Sequence, residues 1–231
     1  MGYTKSQILE KCHIAFKNKS TFYKKGFINY RGKTTDSKEY YTEVIAEFLC
    51  KNIEEYISGI KCISRKSSYK TPGHDGVYDP SSNREEEKIA MQLYTQSKTE
   101  GPYALIGEIL DYQTPLKSTA KDTAGKIDLI SFDGSTMRIL ELKKPDSTET
   151  MLRCVLEGFT YLKTVDCNKL ILDFGYEPTS VTLKASPFVF YGGVQHDEAL
   201  EQRPNLMNLM TLLESKPYYI IEDEKFIVTE G

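Results

Sequence analysis

The sequence predicts an α/β domain built on a mixed central β-sheet flanked by helices. Three observations predict it. Stretches with apolar residues at helical spacing alternate along the chain with short runs of β-branched and aromatic residues. Two such runs, Ile127 to Phe132 and Met137 to Leu142, are separated only by Asp133-Gly134-Ser135 and read as a hairpin. Around that hairpin the order helix, strand, hairpin, helix, strand runs through residues 83–175. With 231 residues, 39% of them apolar, the chain can bury one sizeable core. It reads as a single domain: a mostly helical N-terminal extension (1–82), a core (83–175) and a C-terminal α+β extension (176–231).

Each element has its own local reason. Residues 5–17 carry Ile8, Leu9, Cys12 and Phe16 at helical spacing, and 21–29 read as a loop or short strand. A longer helix is expected from Ser37 to Ser58, capped by Asp36 or Ser37 and ended by Gly59. Residues 60–64 suit a strand, and 67–82, with Thr-Pro-Gly-His-Asp-Gly, a loop. Asn83 can cap a helix over 84–97, whose inward stripe is Glu86, Ile89, Ala90 and Leu93. Residues 103–112 form the first core strand, and 113–124 an extended connection to the hairpin. After it, Ser147 or Thr148 can cap a helix over 149–164, and 169–174 read as an apolar strand. Beyond the core, 181–191 suit one strand or two broken at Ser186-Pro187, 205–215 a helix, and 218–221 with 225–229 a closing hairpin.

Composition narrows the function. No apolar run reaches the ~18 to 20 residues that span a bilayer, and the N-terminus lacks the apolar segment of a secretory signal, so no membrane partner is expected. Five scattered cysteines without a Cys-x-x-Cys pair argue against a disulfide framework or structural zinc and for a reducing cytoplasm. His13, His74 and His196 share no metal-ligand spacing, and neither Gly-x-Ser-x-Gly nor His-Glu-x-x-His occurs. His74 and Asp75 could ligate a metal, although a loop pair without partner spacing is more simply polar. Net charge is −3, but residues 1–33 hold eight basic side chains against Glu10 alone, and 61–70 add Lys61, Arg65, Lys66 and Lys70. Such asymmetry suits either a local polyanion-binding surface or a solvated lysine-rich face.

The hairpin carries the chemistry. With Gly134-Ser135 as a two-residue loop, Asp128 lies directly across from Glu141; with Asp133-Gly134 as the loop, Glu141 becomes its diagonal neighbour. Facing like charges are destabilising. Lys143 supplies one compensating charge, and a divalent cation such as Mg²⁺ would supply the rest. A solvated surface hairpin with a Glu141/Lys143 ion pair is the plainer alternative.

An acid on one strand followed by Glu-x-Lys at the end of the next, here Asp128 and Glu141-Leu142-Lys143, resembles the PD-(D/E)XK nuclease superfamily, which includes restriction endonucleases and Holliday junction resolvases. The resemblance covers residues 83–175 and implies a restriction endonuclease-like αβββαβ core. Ile127 stands where the family name has Pro, and the connection into Asp128 is longer than in compact resolvases. What it implies is a metal-dependent hydrolysis of phosphodiester bonds, with DNA as the expected nucleic-acid partner and a homodimer compatible with relatives that pair their sites. Asp128, Glu141 and the main-chain carbonyl of Leu142 would hold Mg²⁺, with Mn²⁺ as substitute. Glu86, or Glu87 next to it, would be an outer or second-metal ligand, and Lys143 would position or help deprotonate the attacking water. On the following helix Arg153, Glu157 and Tyr161 share a face that could approach this site, although an i,i+4 ion pair beside an amphipathic Tyr is the simpler reading. An inactive nucleic-acid-binding or assembly module on the same fold is the alternative function.

Overall fold

Thr4 starts the first helix. Its hydroxyl accepts the Gln7 N–H at 3.2 Å and the Gln7 side chain accepts the Thr4 N–H at 2.9 Å, a reciprocal capping box. The computed structural model of the chain describes residues 2–74, 84–117, 125–201 and 203–230. Helix α1 (Lys5–Ala15) is followed by two 3₁₀ turns, 19–24 and 26–29, where the sequence leaves a loop or short strand open. The helix expected from Ser37 begins only at Tyr41 and divides at Asn52 into α2 (Tyr41–Lys51) and α3 (Ile53–Gly59). Asn52 takes the i−4 carbonyl of Phe48 with its side-chain amide, which competes with the main-chain ladder at the break. The strand expected at 60–64 does not form; Ile63 is tied by a main-chain bond to Thr164.

Helix α4 (Glu85–Glu100) and strands β1 (Glu108–Pro115), β2 (Lys126–Phe132) and β3 (Thr136–Leu142) follow. The first strand therefore starts five residues later than the sequence suggests. Residues 103–107 make a tight turn instead, closed by Gly107 at φ +77, where a Cβ would lie 2.0 Å from the Phe132 carbonyl oxygen. Helix α5 (Met151–Thr164) is capped by Thr150, whose hydroxyl accepts the Arg153 N–H, and not by Ser147 or Thr148. The expected strand at 169–174 is helix α6 (Cys167–Asp173). Asp166 caps it and Lys169 pairs with Asp173 one turn on, so a short apolar run that suits either state is drawn into the helix. The strand that follows α5 in the sheet is β4 (Thr182–Phe190), unbroken at Ser186-Pro187. Helices α7 (Val194–Leu200) and α8 (Pro204–Leu212) and the hairpin β5 (Tyr218–Glu222) and β6 (Phe226–Thr229) complete the chain.

The six strands form one mixed sheet in the order β1-β2-β3-β4-β5-β6. β1, β2 and β3 are antiparallel, β4 is parallel to β3 and to β5, and β6 is antiparallel to β5. Alternation along the strands feeds two apolar layers. Ile130, Ile139, Val189 and Tyr219 join the layer of α5 and the N-terminal helices; Leu129, Leu140, Leu142, Phe188 and Ile220 join that of α4. The N-terminal segment belongs to the first of these layers. Its Ile28 carbonyl accepts the Thr150 hydroxyl and its Tyr23 carbonyl accepts from Arg153, so it braces the start of α5. No helix among the described residues is long and apolar enough to cross a membrane.

Candidate active site

Asp133 sets the geometry of the hairpin. Its carboxylate accepts the N–H groups of Ser135 (2.9 Å) and Thr136 (2.8 Å), closing the turn around Gly134 at φ +101. The pairs Leu129–Leu140 and Ile130–Ile139 give the register in which Gly134-Ser135 is the loop, and its continuation sets Asp128 opposite Glu141. Asp128 Oδ2 accepts the Leu142 N–H at 2.9 Å, and Oδ1 accepts the Gln113 amide at 3.1 Å. Gln113 reaches it from an unusual backbone conformation, φ +48 near the end of β1, which a non-glycine residue adopts only when its surroundings enforce it.

Lys143 lies at the end of β3 in a ring of carboxylates. Its Nζ is 2.6 Å from Glu141 Oε1, 3.1 Å from Glu149 Oε2 and 3.3 Å from Glu157 Oε2. Glu157 in turn accepts the Tyr161 hydroxyl at 3.0 Å, and Arg153 lies 3.0 Å from Glu149 and 3.7 Å from Glu157. The sequence offers two readings of Arg153, Glu157 and Tyr161, and the structure combines them: the i,i+4 pair exists, and all three side chains also line the site. Gly158 allows α5 to approach this closely, since a Cβ there would already touch the Glu141 Cβ at 3.4 Å. Lys143 and Glu141 are both buried, with 5% and 3% of their surfaces exposed.

A cavity of about 520 Å³ joins these groups to α4. Glu86 lines it beside Asp128 and Glu141, and its carboxylate lies 3.4 Å from the Lys144 N–H. Glu87 instead faces Arg84 across the helix turn, at 3.4 Å, and Glu85 pairs with Lys144. His74, considered above as a ligand, is away from this cavity: its Nδ1 is 2.6 Å from Asp111 and its ring stacks on Tyr112. Asp75 and Asn83 lie outside the described residues.

Six carboxylates (Glu86, Asp128, Glu141, Asp146, Glu149, Glu157) line the cavity against four cations (Lys126, Lys143, Lys144, Arg153), an excess of acid. The titration of the groups follows. Burial, with Glu86 and Glu157 nearby, pushes Asp128 up to about 7 despite the attraction of Lys143. Burial and the adjacent Glu157 raise Glu141 as well. Burial opposes the charge on Lys143, but Glu141 and Glu157 outweigh it and hold the ammonium well above the ordinary lysine range. Glu157 is held below the usual glutamate range by Lys143 and Arg153, against the effect of its burial.

Neither protein-family models nor curated proteins nor solved structures give a match to this chain.

Among the described residues no three His, Cys, Asp or Glu side chains are already gathered into a ligand set. The donor chemistry nevertheless fits a hard divalent cation. Glu141 Oε2 is buried and meets no hydrogen-bond partner, although its fellow oxygen is held by Lys143. Asp128 presents a second carboxylate from the neighbouring strand, and both lie in a pocket with more carboxyl groups than cations. Asp128 and Glu141 would be the protein ligands, with water, substrate oxygens and main-chain carbonyls filling the shell, as Mg²⁺ commonly takes them.

Sequence reasoning missed Gln113 and Glu149. Nothing local marks Gln113, because its contact with Asp128 depends on strand pairing across a long connection. Glu157 carried a signal that could have been weighted more: it sits in a helix whose neighbours Cys154, Val155, Leu156, Gly158 and Phe159 are all buried.

Proposed function

We propose that this chain is a divalent-metal-dependent nuclease that hydrolyses phosphodiester bonds, with DNA as the first substrate to test. One observation carries the reading. Two carboxylates from adjacent strands and a third from the first turn of α4 line a single cavity rich in acid, with a buried ammonium beside them. The element order supports it too: α4, three antiparallel strands, α5 and, after the short α6, β4 parallel to β3 is similar to the αβββαβ order of the PD-(D/E)XK core, with β4 taking the part the sequence gives to 169–174.

Asp128, Glu141 and the Leu142 carbonyl would hold Mg²⁺ or Mn²⁺, with Glu86 at the outer side. When bound, such an ion supplies Lewis-acid polarisation of phosphoryl oxygen and a more acidic water. The chain's own residues do the rest. The N–H of Leu142 and the amide of Gln113 fix the Asp128 carboxylate in one orientation. Lys143, held as an ammonium, would offer positive charge to the phosphate and, with one of its carboxylate partners engaged elsewhere, would donate a hydrogen bond that orients water. Of its two expected roles, positioning is thus the better supported and proton abstraction the less.

The engagement of Lys143 by three carboxylates favours the second reading, an inactive nucleic-acid-binding or assembly module, because each N–H of that ammonium already has a carboxylate to face. Incubating the protein with plasmid DNA, single-stranded DNA and RNA in Mg²⁺ or Mn²⁺ separates the two. Cleavage by the wild type that is lost in Glu141→Gln is the expected result. If no nucleic acid is cut under either metal, the assignment passes to the binding module.

A further inference from the structure

Glu149 stands apart from the other acids around Lys143. Glu141 is on β3 and Glu157 on α5, with side chains 4% and 11% exposed; Glu149 lies in the link between those elements and is 29% exposed. Its two oxygens are divided between two cations. Oε2 lies 3.1 Å from Lys143 Nζ, and Oε1 lies 3.0 Å from Arg153 Nε. The amide of Asn29, at the end of the second 3₁₀ turn, also donates to Oε1, at 3.5 Å. The N-terminal segment thus brings a donor to the site as well as bracing α5.

The contact is incomplete on the arginine side. Arg153 Nη1 donates to the Tyr23 carbonyl at 3.3 Å, but Nε meets Glu149 off the line of a hydrogen bond and is buried without any hydrogen-bond partner. The main chain at Glu149 is, by contrast, fixed. Its carbonyl accepts the amide of the buried Gln195 at 2.7 Å, and the next residue, Thr150, caps α5. The side chain can therefore turn out to solvent about its own bonds while link and helix stay in place.

We infer that Lys143, Arg153 and Asn29 form a clamp for one phosphate of the nucleic-acid strand, and that Glu149 occupies this clamp in the free protein as a built-in competitor. The inference rests on the nuclease reading for the identity of the anion. A phosphodiester offers what the Glu149 carboxylate offers: a pair of equivalent oxygens sharing one negative charge, suited to a guanidinium and an ammonium side by side. Charge balances as well. With Glu141 given to the metal and Glu149 turned out, Lys143 and Arg153 face Glu157, at 3.3 and 3.7 Å, and the arriving phosphate. Two cations then meet two anions. Because the strand binds only where Glu149 has left, its apparent affinity falls by the fraction of molecules in which the clamp is open.

The test measures binding of a labelled DNA oligonucleotide by fluorescence anisotropy in EDTA, and of inorganic phosphate by calorimetry. Wild type is compared with Glu149→Gln, with Glu149→Asp and with Asp146→Asn, which removes a more exposed acid from the same cavity. Thermal melting confirms that each variant is folded. Glu149→Asp keeps the charge but is one methylene too short to span both cations. Both Glu149 variants are expected to bind oligonucleotide and phosphate about tenfold more tightly than wild type, and Asp146→Asn to stay within about twofold. In an Arg153→Gln background the gain from Glu149→Asp should fall below about twofold, because the two side chains act through one contact. Wild-type affinity in Glu149→Asp, or equal gains from Glu149→Gln and Asp146→Asn, reduces Glu149 to an ordinary surface charge and overturns the clamp even if the wild type cleaves DNA. A gain confined to inorganic phosphate overturns the strand as the occupant. The expected gains in a protein that cuts nothing with Mg²⁺ or Mn²⁺ uphold the clamp and remove the nuclease reading. If no variant binds either anion, the clamp is overturned.

Discussion

Replacing Asp128 with Asn is expected to stabilise the metal-free protein at pH 8 while abolishing its cation-dependent activity. Two opposite effects from one substitution set a demanding condition. Burial raises the Asp128 carboxyl from 3.8 to about 7, so the folded state prefers it protonated. A carboxyl whose folded pKa exceeds its unfolded value contributes stability that is complete below about pH 4 and lost as the pH rises through about 7. That rise sets a ceiling on the order of 4 kcal/mol for the loss. Asn avoids it, because it never ionises. Its carbonyl still accepts the Leu142 N–H, and its amide can donate to Gln113 once that side chain turns over. Urea melts in EDTA check this: the variant should exceed the wild type at pH 8 and converge with it near pH 4. Adding Mg²⁺ should then raise only the wild type, through binding to the folded state. A variant less stable than the wild type at pH 8 would show that the carboxylate is satisfied as an anion.

Removing the ammonium acts in the other direction. Lys143→Ala leaves Glu141, Glu149 and Glu157 around an empty position, with Arg153 still beside Glu149 and Glu157 but no cation against the buried Glu141. Breaking a buried ion pair on one side costs about 3 to 5 kcal/mol. Loss of its positive charge at the phosphate should lower the cleavage rate about 10²- to 10³-fold, the range for one preorganised donor. Instability alone would also reduce activity, so the companion variant is Lys143→Ala/Glu157→Gln, which relieves the surplus of negative charge. The expected outcome is recovery of most of the urea midpoint with no recovery of cleavage. If cleavage returns with stability, Lys143 serves only to hold the carboxylates together.

The parts of the fold that local rules determine were the legible ones. The Asp133-Gly134-Ser135 turn, two flanking β-branched runs and strand alternation together specify the hairpin and leave two registers, of which the structure has the one that sets Asp128 opposite Glu141. Glu86 was legible for a similar reason, since its spacing from Ile89 and Leu93 puts it on the inward stripe of α4. Where local rules give two answers, tertiary structure chose. Residues 169–174 are apolar enough for a strand, but Asp166 and the Lys169–Asp173 pair make a helix there, and the sheet waits for β4. Position 52 looks like helix interior by periodicity, yet its side chain takes the Phe48 carbonyl and divides the element. The surroundings of Lys143 were the least legible. Glu149 and Glu157 reach it from the loop and helix after the hairpin, and only the close packing at Gly158 turns an ordinary helical ion pair into part of a buried cluster.

Calorimetric titration of Mn²⁺ into the metal-free protein tests the central claim most directly, because it asks whether Asp128 and Glu141 jointly attract a cation without requiring a substrate. Saturable binding that Asp128→Asn and Glu141→Gln each abolish is the predicted result. No binding, or binding that survives both substitutions, would contradict it.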